Sequence, residues 1–210
     1  MPGRTAILFL LGLLTEYGIV IPQGISYVRQ RIPVILEDAT NELSPMFREL
    51  LGELYDEMVH LDRRIQSLEI KLEALCNHNK ACQRLLTIPG VGLLTATAMV
   101  ATIGDISVFK NGRELAAWLG LVPRQHSTGG KLTLLGISKR GDSYLRTLLI
   151  HGGRAVVRVA KQHQDRRSEW ICKLEARRGR NRAAVAVANK NVRTAWALLS
   201  YHTDYQKFAA

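Results

Sequence analysis

Apolar side chains recur along one stretch of the chain as Phe47, Leu51, Leu54, Met58, Leu61, Ile65, Leu68, Leu72 and Leu75. The spacing alternates four and three throughout, which is the a/d signature of a coiled coil over four heptads. Charged residues flank this seam at Glu53, Asp56, Glu57, Asp62, Arg63, Arg64, Glu69, Lys71 and Glu73. The pattern predicts one long helix, an arm over 46–79. Such a helix can simply pack on its own domain, but a strict seam asks for a helical partner. That partner is either another copy of the chain or residues 34–45 and the N-terminal helices folding back.

Weaker patterns surround the arm. Residues 5–17 read as an apolar helix, and 17–33 is broken by Gly18, Pro22, Gly24 and Pro33. A turn there leads into a second short helix that Pro33 limits, or Pro33 starts the next one. After Asn77-His78-Asn79 the chain reads LLTIPGVGLLTATAMVATIGD (85–105). An apolar helix, Pro-Gly-Val-Gly and a helix of small residues match a helix-hairpin-helix. The turn at Gly90, Val91 and Gly92 would offer backbone N–H groups at a helix start to a DNA phosphate; a tight turn with no ligand is the plainer alternative. GRELAAWLGLVP (112–123) reads as a short helix closed before Pro123. Asp142-Ser143 can cap a helix over 143–162, and a charged stretch over 165–181 leads into an Ala-rich helix over 182–200. KLTLLGI (131–137) alternates enough for a short hairpin strand. The expected fold is all-α: a coiled-coil arm plus a compact helical domain with a helix-hairpin-helix and room for one short β-hairpin. The expected divisions are 1–45, 46–79, 80–203 and a tail over 204–210, with fraying expected after Tyr201.

Charge changes this picture more than composition does. The 210 residues carry a net +11. Residues 121–193 hold 17 Lys and Arg against 4 Asp and Glu, whereas the rest of the chain holds 12 against 14. A basic half joined to a near-neutral half points to a polyanion partner. On the 143–162 helix Arg146, Arg154, Arg158 and Lys161 recur about every four residues, and Arg177, Arg178, Arg180 and Arg182 form the densest basic cluster. The three cysteines, Cys76, Cys82 and Cys172, show no CxxC spacing, so neither a disulfide framework nor a zinc site is expected and a reducing, cytoplasmic compartment fits. The run AILFLLGLL (6–14) falls short of a membrane span, and no membrane partner is expected.

The chemistry concentrates in RQHSTGGKLTLLGISKRGD (124–142). A phosphate-binding P-loop would need glycine where Gln125 stands and Ser or Thr where Leu132 follows Lys131, so nucleotide binding is excluded here. The remaining reading is a nucleophile beside a phosphodiester. Gly129 and Gly130 let the backbone approach a phosphate and supply N–H donors, while Arg124, Lys131, Lys139 and Arg140 balance its charge. Ser127 is the candidate nucleophile, with Thr128 and then Ser138 as rival hydroxyls and His126 as a candidate base. In isolation, S-T-G-G reads first as an inert glycine-rich turn whose serine merely satisfies backbone groups.

Longer motifs decide between these. PGVGLLTATAMVATIGD, then NGRELAAWLGLVPRQHSTGGK, then GISKRGDSYLRTLLIHGGR and ANKNVRTAWALL together resemble bacterial insertion-sequence transposases of the one-ten (one-sixteen, nine-zero-two) family over about residues 10–200. The resemblance implies DNA transposition, a serine that forms a covalent phosphoserine link to DNA, and a structured guide RNA. It places that serine in the hydroxyl–Gly-Gly loop, at Ser127 first and Thr128 second. It also implies an N-terminal RuvC-like domain with an Asp-Glu-Asp-Asp quartet binding a divalent metal such as Mg. The first 36 residues contain no aspartate, so that domain is expected to be missing and the metal to enter only with a RuvC-like domain supplied in trans. The expected nucleic-acid contacts are Gly90, Val91, Gly92, Arg124, Gly129, Gly130, Lys131, Lys139, Arg140, Arg146, Arg154, Arg177, Arg178 and Arg180. The other expected partner is a second copy or a full-length transposase, paired through the 47–75 coiled coil. The alternative is a non-catalytic nucleic-acid-binding or interaction module. A nucleoid-associated, cytoplasmic location follows from either.

Overall fold

A computed structural model describes residues 9, 11–128 and 131–206, except for the side chains at 127, 128, 131 and 132. The chain divides into two compact units, Met1–Ile70 and Lys71–Ala210.

In the first unit, residues 11–16 are helical and a turn leads to α1 (Ile25–Glu37), followed by the long α2 (Pro45–Asn77), which continues across the unit boundary. Leu14, Ile21, Val28, Ile32, Ile35, Leu43, Phe47 and Leu51 form its core. Pro33 lies inside α1 rather than at its border. A proline there returns no N–H to the carbonyl four residues back. The Tyr55 hydroxyl donates to that carbonyl, on Arg29, at 3.4 Å. Burial of Val28, Ile32 and Ile35 on one face carries the helix past the missing bond. The Arg48 guanidinium donates to the carbonyls of Leu36 and Asp38 at 2.7 and 3.1 Å, satisfying the end of α1.

The seam of α2 changes partner along its length. Phe47 and Leu51 are buried and Leu54 and Met58 half-buried against the first unit's own core. Beyond Met58, the seam residues Leu61, Ile65 and Leu68 are 41%, 53% and 51% exposed. Folding back of the N-terminal helices therefore satisfies only the first half of the heptad pattern.

The second unit runs α3 (Lys80–Leu86), α4 (Leu93–Ile103), α5 (Gly112–Trp118), β1 (Pro123–Thr128), β2 (Lys131–Ile137), α6 (Ser143–Val159), α7 (Arg166–Arg178) and α8 (Arg180–Tyr201). Helix starts are capped by side chains: Asn79, Asn111, Asp142 and Asp165 each accept from backbone N–H groups of the following turn. Helix α8 is the central element and packs chiefly on α6 and α5. Its buried face is built from small residues, including Ala183, Ala184, Val187 and Ala188. The approach to α6 is so close that a Cβ on Gly153 would lie 2.4 Å from the Ala184 carbonyl oxygen. Leu85, Met99, Leu115, Leu119, Leu145, Leu149 and Val192 fill the remaining core. The fold is mainly α, with a single two-stranded antiparallel ribbon, β1–β2, among the described residues.

Two expectations are corrected. Cys76 and Cys82 are disulfide-bonded, with Cα atoms 5.3 Å apart, and Cys172 is free. The two lie 6 positions apart in sequence, and it is the sharp reversal between α2 and α3 that brings them together, not a recognisable cysteine spacing. The tail is also not frayed as far as residue 206. Asp204 lies 4.0 Å from Arg84, the Tyr205 N–H donates to Thr87 Oγ1 at 3.2 Å, and Arg167 Nη1 donates to the Tyr205 hydroxyl at 2.9 Å. No described helix is long and apolar enough to cross a membrane.

Candidate nucleic-acid interface

The β1–β2 ribbon carries the serine loop. Gln125 pairs with Leu134, His126 with Thr133, Ser127 with Leu132 and Thr128 with Lys131, with a register shift between Pro123 and Gln125. Successive strand positions alternate faces, so positions 126 and 128 share one face of the ribbon and 125 and 127 the other. His126 and Ser127 are therefore on opposite faces, as their adjacency in sequence requires. Gly129 and Gly130 lie outside the described residues, as do the side chains of Ser127, Thr128 and Lys131. Arg124, Gln125, His126, Thr133, Leu134, Leu135 and Gly136 are all exposed, so the ribbon stands in solvent.

Its base is held rigidly. The Ser138 N–H donates to the Val122 carbonyl at 2.8 Å, and the Lys139 N–H to the Gly120 carbonyl at 3.1 Å. The return loop presses so closely on the end of α5 that a Cβ on Gly120 would lie 2.1 Å from the Arg140 carbonyl oxygen. Lys139 itself has a left-handed φ of 56°. Arg146 Nη1 donates to the carbonyls of Leu119, Arg140, Gly141 and Asp142 at 3.2 to 3.5 Å. Arg146, expected to contact nucleic acid, is thus engaged in holding the ribbon's base. Lys139 and Arg140 are exposed beside it. The third candidate hydroxyl, Ser138 Oγ, is buried there with no hydrogen-bond partner among the described residues.

The Pro-Gly-Val-Gly turn between α3 and α4 faces largely inward. Val91 is 5% exposed and belongs to the core. Gly90 has a φ of 88°, and a Cβ on it would lie 2.6 Å from Val156 Cγ2 and 2.8 Å from the Gly152 carbonyl oxygen. The Pro89 carbonyl accepts from Asn191 Nδ2 at 3.0 Å and from Arg167 Nη2 at 3.5 Å. Gly92 is different: it is exposed, and among the described residues nothing lies within 4 Å of its Cβ position and no side chain caps the α4 N-terminus it precedes. Of the three turn residues, Gly92 is the one left facing solvent.

Arg154 on α6, Arg177 and Arg178 on α7 and Arg180 on α8 are exposed. A further set of cations, Arg166, Arg167, Lys190 and Arg193, escapes sequence reading. Burial, then Arg167, Arg166 and Arg193, push the Lys190 ammonium below its ordinary value. These positions are scattered in sequence, and only the adjoining Arg177–Arg182 run signals the region. Among the described residues no three His, Cys, Asp or Glu side chains converge, so they do not fit a divalent-metal quartet.

The Transposase IS116/IS110/IS902 family model matches residues 82–168, which include the turn, the ribbon and α6. The chain is 47% identical over 205 residues to a transposase for insertion sequence element IS1111A from Coxiella burnetii, covering 97% of this chain and 56% of the relative. It is 47% identical over 196 residues to a probable family 20 transposase from Pseudomonas aeruginosa, with 93% and 58% covered. A transposase for insertion sequence element IS1328 from Yersinia enterocolitica is 38% identical over 194 residues, with 92% and 57% covered. The chain thus spans a little over half the length of these relatives.

Proposed function

The chain belongs to the IS116/IS110/IS902 family of transposases, and we propose that it acts in DNA transposition as the part that grips nucleic acid and carries the serine nucleophile. The observation that carries this reading is the exposed ribbon over 123–137, which ends in S-T-G-G-K and is anchored at its base between exposed Lys139, Arg140 and Arg124. An exposed ribbon on a rigid base suits a group that must be presented to a DNA backbone, and the exposed cations at that base draw in its phosphates.

In this reading Ser127 Oγ attacks a phosphodiester. The serine O–P bond forms as the P–O bond to one sugar breaks. The serine proton leaves to a base or to water, and the departing sugar oxygen takes up a proton. The resulting ester conserves the energy of the broken linkage, so attack by another sugar hydroxyl reseals the strand and frees the serine. Thr128 is the alternative nucleophile. Arg154, Arg177, Arg178 and Arg180 hold DNA, and a structured guide RNA competes for or shares the same cations. The open second half of the α2 seam receives the same segment of a second copy or of a longer transposase.

The test is a denaturing gel of the chain with end-labelled DNA, alone and with a full-length relative supplied in trans. A covalent protein–DNA band that Ser127→Ala removes is expected. Binding without any band in either setting sinks the nucleophile and leaves a non-catalytic nucleic-acid-binding module.

A further inference from the structure

Helix α7 presents Trp170, Lys173, Leu174 and Arg177 at helical spacings of three, four and seven, and these four side chains line an open pocket of about 210 Å³. The half-buried indole packs on the cluster containing Val157, Ile171, Ala184 and Val187, which fixes its position. From α8, the Lys190 ammonium stands 4.5 Å from the indole centroid. The pocket thus has an aromatic wall, Trp170, and two lining cations, Lys173 and Arg177.

Its charge is poorly compensated. Arg177 is exposed and has no carboxylate partner among the described residues. Lys173 pairs with Glu169 at 3.7 Å, but both side chains are largely exposed, and such a pair on a helix surface is easily given up for a phosphate. Burial first, and then the neighbouring Arg167, Arg166 and Arg193, lower the Lys190 pKa, and an arriving anion relieves the repulsion among these cations.

An aromatic surface bordered by cations matches a nucleotide whose base is free. In a duplex the base faces are already stacked and only phosphates are offered; in a single strand each base has an open π-face. We propose that Trp170, Lys173 and Arg177 form a stacking site for one unpaired nucleotide of a DNA or RNA strand, with the base on the indole and the adjoining phosphates on Lys173 and Arg177. The inference rests on the nucleic-acid-binding reading above and adds to it a site for single strands.

The experiment measures binding of the full chain to oligo-dT, oligo-U and a duplex of the same length, with and without Trp170→Leu, which keeps an apolar side chain on the cluster. The expected result is an affinity about tenfold weaker for a single strand, with duplex affinity unchanged. Loss confined to oligo-dT identifies DNA as the source of the nucleotide, and loss confined to oligo-U identifies RNA. Equal loss on single strand and duplex, or no loss on either single strand, overturns the site. Displacement of the oligonucleotide by poly-glutamate as readily as by unlabelled single strand also overturns it, in favour of an acidic protein partner. Should Trp170→Leu unfold the chain, photo-cross-linking of 5-iodouracil oligonucleotides to the unsubstituted protein decides: a cross-link in the Trp170 peptide is expected, and cross-links only elsewhere refute the site. Failure of the wild-type chain to bind any nucleic acid removes the broader reading as well, whereas tight binding indifferent to Trp170 removes this inference alone.

Discussion

Replacing Gly90 and Gly92 by alanine separates packing from ligand contact in a turn where sequence alone treats the two alike. Gly90 has a left-handed φ of 88°, and a methyl group there would meet Val156 Cγ2 at 2.6 Å and the Gly152 backbone oxygen at 2.8 Å. An L-residue in that conformation costs about 1–2 kcal/mol. Forcing a methyl group into a packed interior adds about 1–3 kcal/mol. Gly90→Ala is therefore expected to destabilise the second unit by about 2–5 kcal/mol. At about 2–4 °C per kcal/mol for a unit of this size, the melting temperature falls by about 4–20 °C. Gly92 has a φ of −94° and open space around its Cβ position, so Gly92→Ala leaves the melting temperature within about 2 °C. Circular dichroism melts of both variants make the comparison, with DNA affinity measured on each at a temperature where it is folded. If α4's N-terminus holds a phosphate, Gly92→Ala weakens binding without a stability change. A Gly90→Ala protein that melts with the wild type would refute the packed geometry of the turn.

Three further outcomes follow from the same structure. Leu61→Lys charges a seam position that is 41% exposed, so the melting temperature should hold while self-association in sedimentation velocity is lost; association that survives would place the interface elsewhere. Neutralising Arg177, Arg178 and Arg180 to Gln should weaken DNA binding across sequences and reduce the slope of log affinity against log salt by about three, and an unchanged slope removes these residues from the interface. The Asp165 carboxyl is held below its ordinary pKa first by the Ser168 hydroxyl and then by backbone N–H groups of Ser168 and Arg167. Its folded value lies below its unfolded value, so its contribution to stability is complete above about pH 4 and is lost as the pH falls through the folded value. Asp165→Asn should flatten that acid limb in pH-dependent melts and leave the limb above pH 7 unchanged.

How far the sequence could be read depended on the range of the interactions. The long helix under the heptad pattern, the Asp142 cap and the strand over 131–137 are local patterns, and each reappears in the fold. The seam's division into a covered and an open half was not legible, because it depends on where the N-terminal residues pack. Pro33 read as a boundary because its repair comes from Tyr55, more than twenty residues away. The Pro-Gly-Val-Gly turn carries a ligand-binding signature, but Gly90 is needed for the close approach of Gly152, sixty residues on. Arg146 read as one of a basic stripe, although its guanidinium lies on the carbonyls that fix the ribbon. The cations around Lys190 were missed because they come together only when α7 packs on α8. What did transfer directly was the unbroken run of motifs through the ribbon, whose residues adjoin one another in chain and in space.

The most direct test of the account is to digest the protein–DNA adduct and locate the nucleotide by mass spectrometry. One phosphodiester-linked nucleotide is expected on the peptide spanning the ribbon, attached at Ser127. Attachment at a hydroxyl outside residues 123–137, or an adduct that persists undiminished in Ser127→Ala with no link in the ribbon, would contradict it.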